Sequence, residues 1–244
     1  MTTLRAAATI RLQTMARSLG PVNAQLVFIG ASVLPLLIEE DLRWESPRST
    51  DDIDAVAATA SYTERGKLEQ LLREHGFVHD MTARHAGRFR APDSTIFDLS
   101  FAGDHSGASG SVVDHLAIES AVRLAGDPPL RHLSGAGFFL MKCAAFHDRG
   151  RSAPHASKDL ADLAVLLLAC SNLPSELRAQ AERSERWAEA RTRAIASLRS
   201  ASDLAGALRT HWNRREPVPP DTPATLADAV FAAIEGLAAP SVSS

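Results

Sequence analysis

Three short apolar runs set the strongest limit on this fold: AQLVFIG at 24–30, DDIDAVAA at 51–58 and TIFDLSFAG at 95–103. Each has the composition of a buried strand bounded by turn formers, and RFRAP at 88–92 reads as a fourth. Strands leave backbone N–H and C=O groups that only a neighbouring strand satisfies, so these runs belong to one sheet. The segments between them have helical period. ASVLPLLIEEDL (31–42) groups its apolar residues before Glu39, Glu40 and Asp41 and suits a helix packed on a sheet, with Pro35 in its first turn. SYTERGKLEQLLREHGF (61–77) sets Leu68, Leu71 and Leu72 on one face and Gly76 just past its end, an amphipathic helix with a glycine stop.

GDHSGASGS (103–111) reads as a Gly/Ser loop, and beyond it the pattern turns helical. VVDHLAIESAVRLAG, GAGFFLMKCAAFHDRG, SKDLADLAVLLLACS and the Arg/Ala-rich segments to about residue 213 follow one another. Strands and helices first, helices afterwards, predict an α/β (α+β) chain with a small mixed sheet and a helical C-terminal half, divided at 1–128 and 129–244. NRREPVPPDTPA (213–224) reads as a proline-rich linker into a last short helix, TLADAVFAAIEGLA, before a PSVSS tail.

A hydrophobic share of 45% supports a real buried core and argues against disorder. The net charge of −3 neither advertises nor excludes a nucleic-acid partner. Cys143 and Cys170 lie far apart and outside any metal spacing, which predicts two small core residues in a reducing compartment. Arg5, Arg11 and Arg17 interrupt every apolar stretch of the first 20 residues, so that segment reads as a first helix rather than a targeting signal. No run approaches the roughly 18 apolar residues of a membrane span. The expectation is a soluble, cytoplasmic protein.

The chemistry gathers at the mouth of the second strand. Asp52 and Asp54 are two residues apart, so on a strand they project from the same face, whereas Asp51 points away. Like charges at that spacing repel unless a cation sits between them, and hard carboxylate oxygens are what Mg²⁺ takes. Asp98, inside an otherwise apolar strand, supplies a third carboxylate if its strand neighbours the first. Such a set can hold one or two Mg²⁺ ions for phosphoryl or nucleotidyl transfer. Gly30 and Ser32 follow a strand and precede a helix, where backbone N–H groups can hold phosphate. The bland alternative makes Asp51 and Asp52 turn caps and leaves Asp54 and Asp98 to solvent.

The stretches FIGASVLPLL, RSTDDIDAV, LEQLLREHGFVHD and TIFDLSF, taken in order, resemble the nucleotidyltransferase core of DNA polymerase β-like enzymes. LSGAGFFLMKCAAFHDRGRSAPHASKDLADLAVLL resembles the helical region of AbiEii-type nucleotidyltransferases, with a lysine on one helix, an arginine-containing loop and a Lys-Asp-x-x-Asp helix start. The resemblance spans roughly residues 24 to 170. It implies a Mg²⁺-dependent enzyme that moves a nucleoside monophosphate from an NTP, such as ATP, to an acceptor hydroxyl on tRNA, protein or a small molecule. It also implies a place as the toxin of a toxin–antitoxin pair, with an antitoxin protein as partner. Carried over by position, it assigns Asp52, Asp54 and Asp98 to catalysis and metal, and Gly30, Ser32, Lys142 and Asp159 to the nucleotide. Asp162 matches the helix-facing partner of Asp159. Ala31 stands where the family's turn commonly has a second glycine, and the stretch from Ser32 to Asp52, with Trp44 and Pro47, is longer than usual, suiting a lid or acceptor surface.

Other polar residues read as ordinary surface. His79, His85, His105, His147 and His155 are scattered, and RHAGRFR and FHDRGR suit solvated or anion-facing positions. RSERWAEARTRAIASLRS interleaves arginine with glutamate, the pattern of a salt-bridged helix face, with an RNA-facing surface as the alternative. Two rival functions stand beside the enzyme: a non-catalytic nucleotide- or partner-binding protein on the same scaffold, and a purely helical interaction protein. The last requires DDID to lie in a helix.

Overall fold

In a computed structural model of the chain, the described residues are 3–39, 50–58, 61–83, 86–102, 107–201, 203–213, 230 and 232–237. The loop expected at 43–50 up to Ser49, with Trp44 and Pro47, lies outside them. So do His85, His105, the PSVSS tail and the proline-rich linker beyond Asn213. The chain divides into two units, Met1–Leu36 with Pro47–Phe138, and Leu37–Ser46 with Phe139–Ser244.

The first unit is built on a seven-stranded mixed sheet. In chain order its elements are α1 (Leu4–Leu19), β1 (Leu26–Ile29), α2 (Leu34–Leu37), β2 (Asp52–Ala57), α3 (Tyr62–Glu74), β3 (Val78–His79), β4 (Arg88–Arg90), β5 (Ile96–Phe101), α4 (Gly107–Glu119), β6 (Val122–Leu124) and β7 (Leu130–His132), with α2 and the next helix, α5 (Gly135–Ala145), each crossing the boundary between units. The strands lie in the order β3-β4-β5-β2-β1-β7-β6. β2 runs antiparallel to β1 and parallel to β5, and β4 runs antiparallel to β5. A strand at Asp52–Ala57 excludes the purely helical reading, which needed a helix there.

Local chemistry explains most of these elements. Thr3 caps α1 by accepting from the Ala6 amide at 3.2 Å, and the helix buries Leu12, Met15, Ala16 and Leu19. Ser61 and Glu64 form a reciprocal capping box at the start of α3, and Gly76, at φ +81°, turns the chain out at its end. Leu68 and Leu72 are the buried residues of that helix, with Leu71 half-buried at its flank. Along β5 the residues alternate strictly. Phe97, Leu99 and Phe101 enter the core, while Ile96, Asp98 and Ser100 lie on the less buried face. Phe77 meets Phe97 edge to face at 5.6 Å between ring centres, tying the chain after α3 to the sheet.

Three expectations are corrected here. The helix anticipated over 31–42 is a single turn, Leu34–Leu37; the Glu39 amide donates instead to the Ala169 carbonyl at 2.9 Å within the second unit. The Gly/Ser stretch is a loop for less of its length than its composition suggests, because α4 begins at Gly107. The helix expected to run through 126 stops at Glu119. Val122–Leu124 pairs antiparallel with Leu130–His132, and β7 joins β1, so the sheet carries two strands from a segment read as helical. Ladder bonds to a partner strand six to ten residues on override the local helical spacing there.

The second unit is helical. The end of α5 leads into a π-type turn at Phe146–Gly150, followed by α6 (Lys158–Ala169), α7 (Leu173–Arg183), α8 (Glu185–Arg199) and α9 (Leu204–Asn213). Ser157 caps α6 by accepting from the Leu160 amide at 3.2 Å. Cys143 and Cys170 are buried free thiols, as expected. Burial pushes the Cys143 thiol well above its ordinary value and raises that of Cys170 to about 12, so both act as packing groups. On α8, Arg193 pairs with Glu189 at 3.1 Å across one turn, a salt-bridged face of the kind read from the sequence. Val230 and Ala232–Leu237 are helical within the last segment. No single helix among the described residues is long and apolar enough to cross a membrane.

Candidate metal and nucleotide site

Register builds this site. Asp54 lies opposite Asp98 across the parallel β2–β5 ladder, Ile29 lies opposite Asp54 on β1, and Arg88 lies opposite Asp98 on β4. Asp52, two residues before Asp54, falls on the same face, and both are half-buried while Ile53 and Ala55 enter the core. One carboxylate oxygen from each of Asp52, Asp54 and Asp98 lies within 4.8 Å of the others. Ligand oxygens around an octahedral Mg²⁺ at 2.0–2.1 Å sit roughly 3–4 Å apart, a spacing near that of this donor set. The three carboxylates therefore fit a hard divalent cation.

Gly30 closes one side. Its φ is +74°, and a β-carbon there would stand 2.0 Å from Asp54 Oδ2 and 2.8 Å from Cγ. Only glycine combines this left-handed backbone with so close an approach of a carboxylate. The turn after β1 is held by the Val33 amide donating to the Gly30 carbonyl at 3.2 Å, and Ser32 donates its hydroxyl to the Ile29 carbonyl at 3.3 Å. Ser32 is buried at 6% exposure, so its side chain fastens the turn.

Two arginines missed as site residues frame the cluster. Arg88 grips Asp98 through both oxygens, Nε to Oδ1 at 2.8 Å and Nη2 to Oδ2 at 2.6 Å, and its Nη2 stands 3.6 Å from Asp52 Oδ2. Those bonds to Asp98 outweigh the cost of partial burial and raise the basicity of Arg88 further above its ordinary value. Arg11 of α1 donates to the Thr50 carbonyl at 2.6 Å and to the Asp52 carbonyl at 3.3 Å, fixing the entry to β2. Thr50 then donates its hydroxyl to Asp52 Oδ1. The sequence marks Asp98 as a lone carboxylate in an apolar strand and RFRAP as another strand, but the pairing that sets Arg88 opposite Asp98 comes from the sheet register. Of the solvated and anion-facing positions expected for RHAGRFR, Arg88 takes the anion-facing one, and the anion is the Asp98 carboxylate.

Lys142 and Asp159 lie in the second unit and are joined to each other. Lys142 Nζ is 3.1 Å from Asp159 Oδ1 and 2.7 Å from Asp162 Oδ2, and Asp162 is fully buried. Arg149, from the π-type turn, donates to Asp159 through Nε at 2.8 Å and Nη2 at 3.1 Å while its side chain stays 70% exposed. Burial pushes the Asp159 carboxyl up, but Arg149 and Lys142 more than offset it and hold it below the ordinary carboxylate value. The cluster pairs two cations with two carboxylates. Its ammonium is committed to neutralising buried charge, and Arg149 is its outward-facing cation.

No protein-family model matches the chain, and no curated protein matches it either.

Proposed function

We propose that the chain is a Mg²⁺-dependent nucleotidyltransferase on a polymerase β-like core, transferring a nucleoside monophosphate from an NTP to an acceptor hydroxyl with release of pyrophosphate. The observation that carries this reading is the convergence of Asp52, Asp54 and Asp98 from two parallel strands beside the strand–turn glycine Gly30. Asp52, Asp54 and Asp98 would hold the cation, and Asp98 would also take the proton of the attacking hydroxyl. Bound Mg²⁺ supplies charge neutralisation at the phosphates and acidifies that hydroxyl. The backbone of the Gly30–Ser32 turn receives phosphate oxygens. The family resemblance adds tRNA or a small molecule as acceptor and an antitoxin protein as partner; Lys142 and Asp159, which it places on the nucleotide, are paired with each other in the second unit.

The alternative of a nucleotide-binding protein without catalysis has one observation in its favour. Asp98, the residue assigned to the proton, is held at both oxygens by Arg88. Incubation with each labelled NTP, Mg²⁺ and total RNA separates the two. Labelled acceptor and pyrophosphate that vanish in Asp52→Ala and Asp54→Ala support transfer. Mg²⁺-dependent NTP binding without pyrophosphate supports the alternative, and labelling that survives both substitutions removes the carboxylates from the reaction.

A further inference from the structure

Building on the reading of Asp52, Asp54 and Asp98 as a cation site, we propose that Arg88 is its resident intramolecular counter-ion, and that a divalent metal binds only as Arg88 lets go of Asp98. Metal capture and release of the arginine are then one event.

Geometry carries this. Arg88 stands directly across the ladder from Asp98, and its planar fork meets both oxygens at 2.8 and 2.6 Å. The same Nη2 reaches to 3.6 Å from Asp52 Oδ2, so one guanidinium spans two of the three carboxylates that would ligate the ion. A bidentate fork fixes the plane and direction of the carboxylate, and here it turns Asp98 toward β4. A divalent ion drawn in among those oxygens would stand a few ångströms from a fixed positive charge, a repulsion that a partly buried site screens poorly. Arg88 has somewhere to go, since its side chain is 28% exposed and starts from a three-residue strand. In the absence of the ion it offsets part of the repulsion among three clustered carboxylates. Arg88 is thus a positioning residue for Asp98 that sets the threshold cation concentration of the site.

The test titrates the full chain with Mn²⁺ by calorimetry and with Mg²⁺ by NMR, comparing wild type, Arg88→Met and Arg88→Lys. Losing a charge-assisted fork predicts Mn²⁺ affinity at least roughly tenfold tighter in R88M, with R88K between it and wild type. In wild type, the Arg88 Nε–H resonance, assigned by its loss in R88K, should shift through the Mg²⁺ titration. Equal or weaker Mn²⁺ affinity in R88M with a native circular dichroism spectrum overturns the proposal. So does an Arg88 resonance unmoved at Mg²⁺ saturation, a readout that stands even if R88M fails to fold. If neither wild type nor R88M binds either ion, or if Asp52→Ala with Asp54→Ala leaves binding intact, the cation-site reading itself has failed, and the counter-ion role falls with it.

Discussion

A β-carbon at Gly30 would sit 2.0 Å from Asp54 Oδ2, so the turn after β1 and the central carboxylate of β2 occupy adjoining space that a side chain at 30 would enter only by displacing Asp54.

Gly30→Ala should therefore act on stability and on the site together. Strain at φ +74° costs about 1–3 kcal/mol, and displacement of Asp54 adds to it. Urea unfolding should show the lowered midpoint, and Mn²⁺ titration of the folded fraction should show weakened binding. An unchanged midpoint would mean that the turn relaxes freely.

Asp54→Asn should separate stability from cation binding. Removing one of three carboxylates within 4.8 Å relieves repulsion on a half-buried face, which predicts a gain of about 1 kcal/mol without metal. For a chain of this size that corresponds to a melting temperature higher by about 2–4 °C. The upward shift that Mg²⁺ produces in wild type should be lost. Differential scanning calorimetry with Mg²⁺ and with a chelator measures both effects.

Lys142→Met should damage folding rather than a local contact. Asp162 is fully buried and lies 2.7 Å from Lys142, so the substitution leaves a carboxylate inside the second unit without that cation. Breaking one side of a buried pair costs about 3–5 kcal/mol. Pairing it with Asp162→Leu should restore part of the loss, because the uncompensated charge is then gone. Denaturant midpoints of the single and double variants decide the matter.

His132 should make stability depend on pH near neutrality. Burial at the last residue of β7 lowers its basicity below the ordinary value, with Arg5 adding to the effect against a bond from Nδ1–H to the Leu133 carbonyl at 2.8 Å. The unfolded chain takes up a proton near pH 6.5, where the folded one still resists. The folded state consequently holds its full advantage above that pH and loses it as pH falls, until the folded histidine also protonates. Thermal melts of His132→Gln between pH 7.5 and 5 should lack this part of the decline. A parallel decline in both proteins would assign it elsewhere.

What could be read in the sequence was what nearest neighbours along the chain decide. The spacing of Asp52 and Asp54 put both on one face because side chains alternate on any strand. The glycine at 76 marked the end of α3, since a C-cap is made within a few residues, while the Ser61–Glu64 capping box at its start was not read from the sequence. Val122–Leu124 was misread because its spacing is compatible with a helix, and only its partner strand makes it β. Arg88 went unrecognised for a similar reason. Nothing within RFRAP indicates which residue of another strand lies opposite.

The chain by itself thus determined a sheet with an acidic strand mouth, a helical second half and the residues able to hold a divalent cation. Tertiary structure decided that β5 lies parallel beside β2 with Asp98 level with Asp54, and that Arg88 faces that carboxylate from β4. It also decided that Lys142 is spent on Asp159 and Asp162. Strand order and register are set by pairing between residues tens of positions apart and by which face the core buries, and a one-residue slip would send Asp98 to the opposite face.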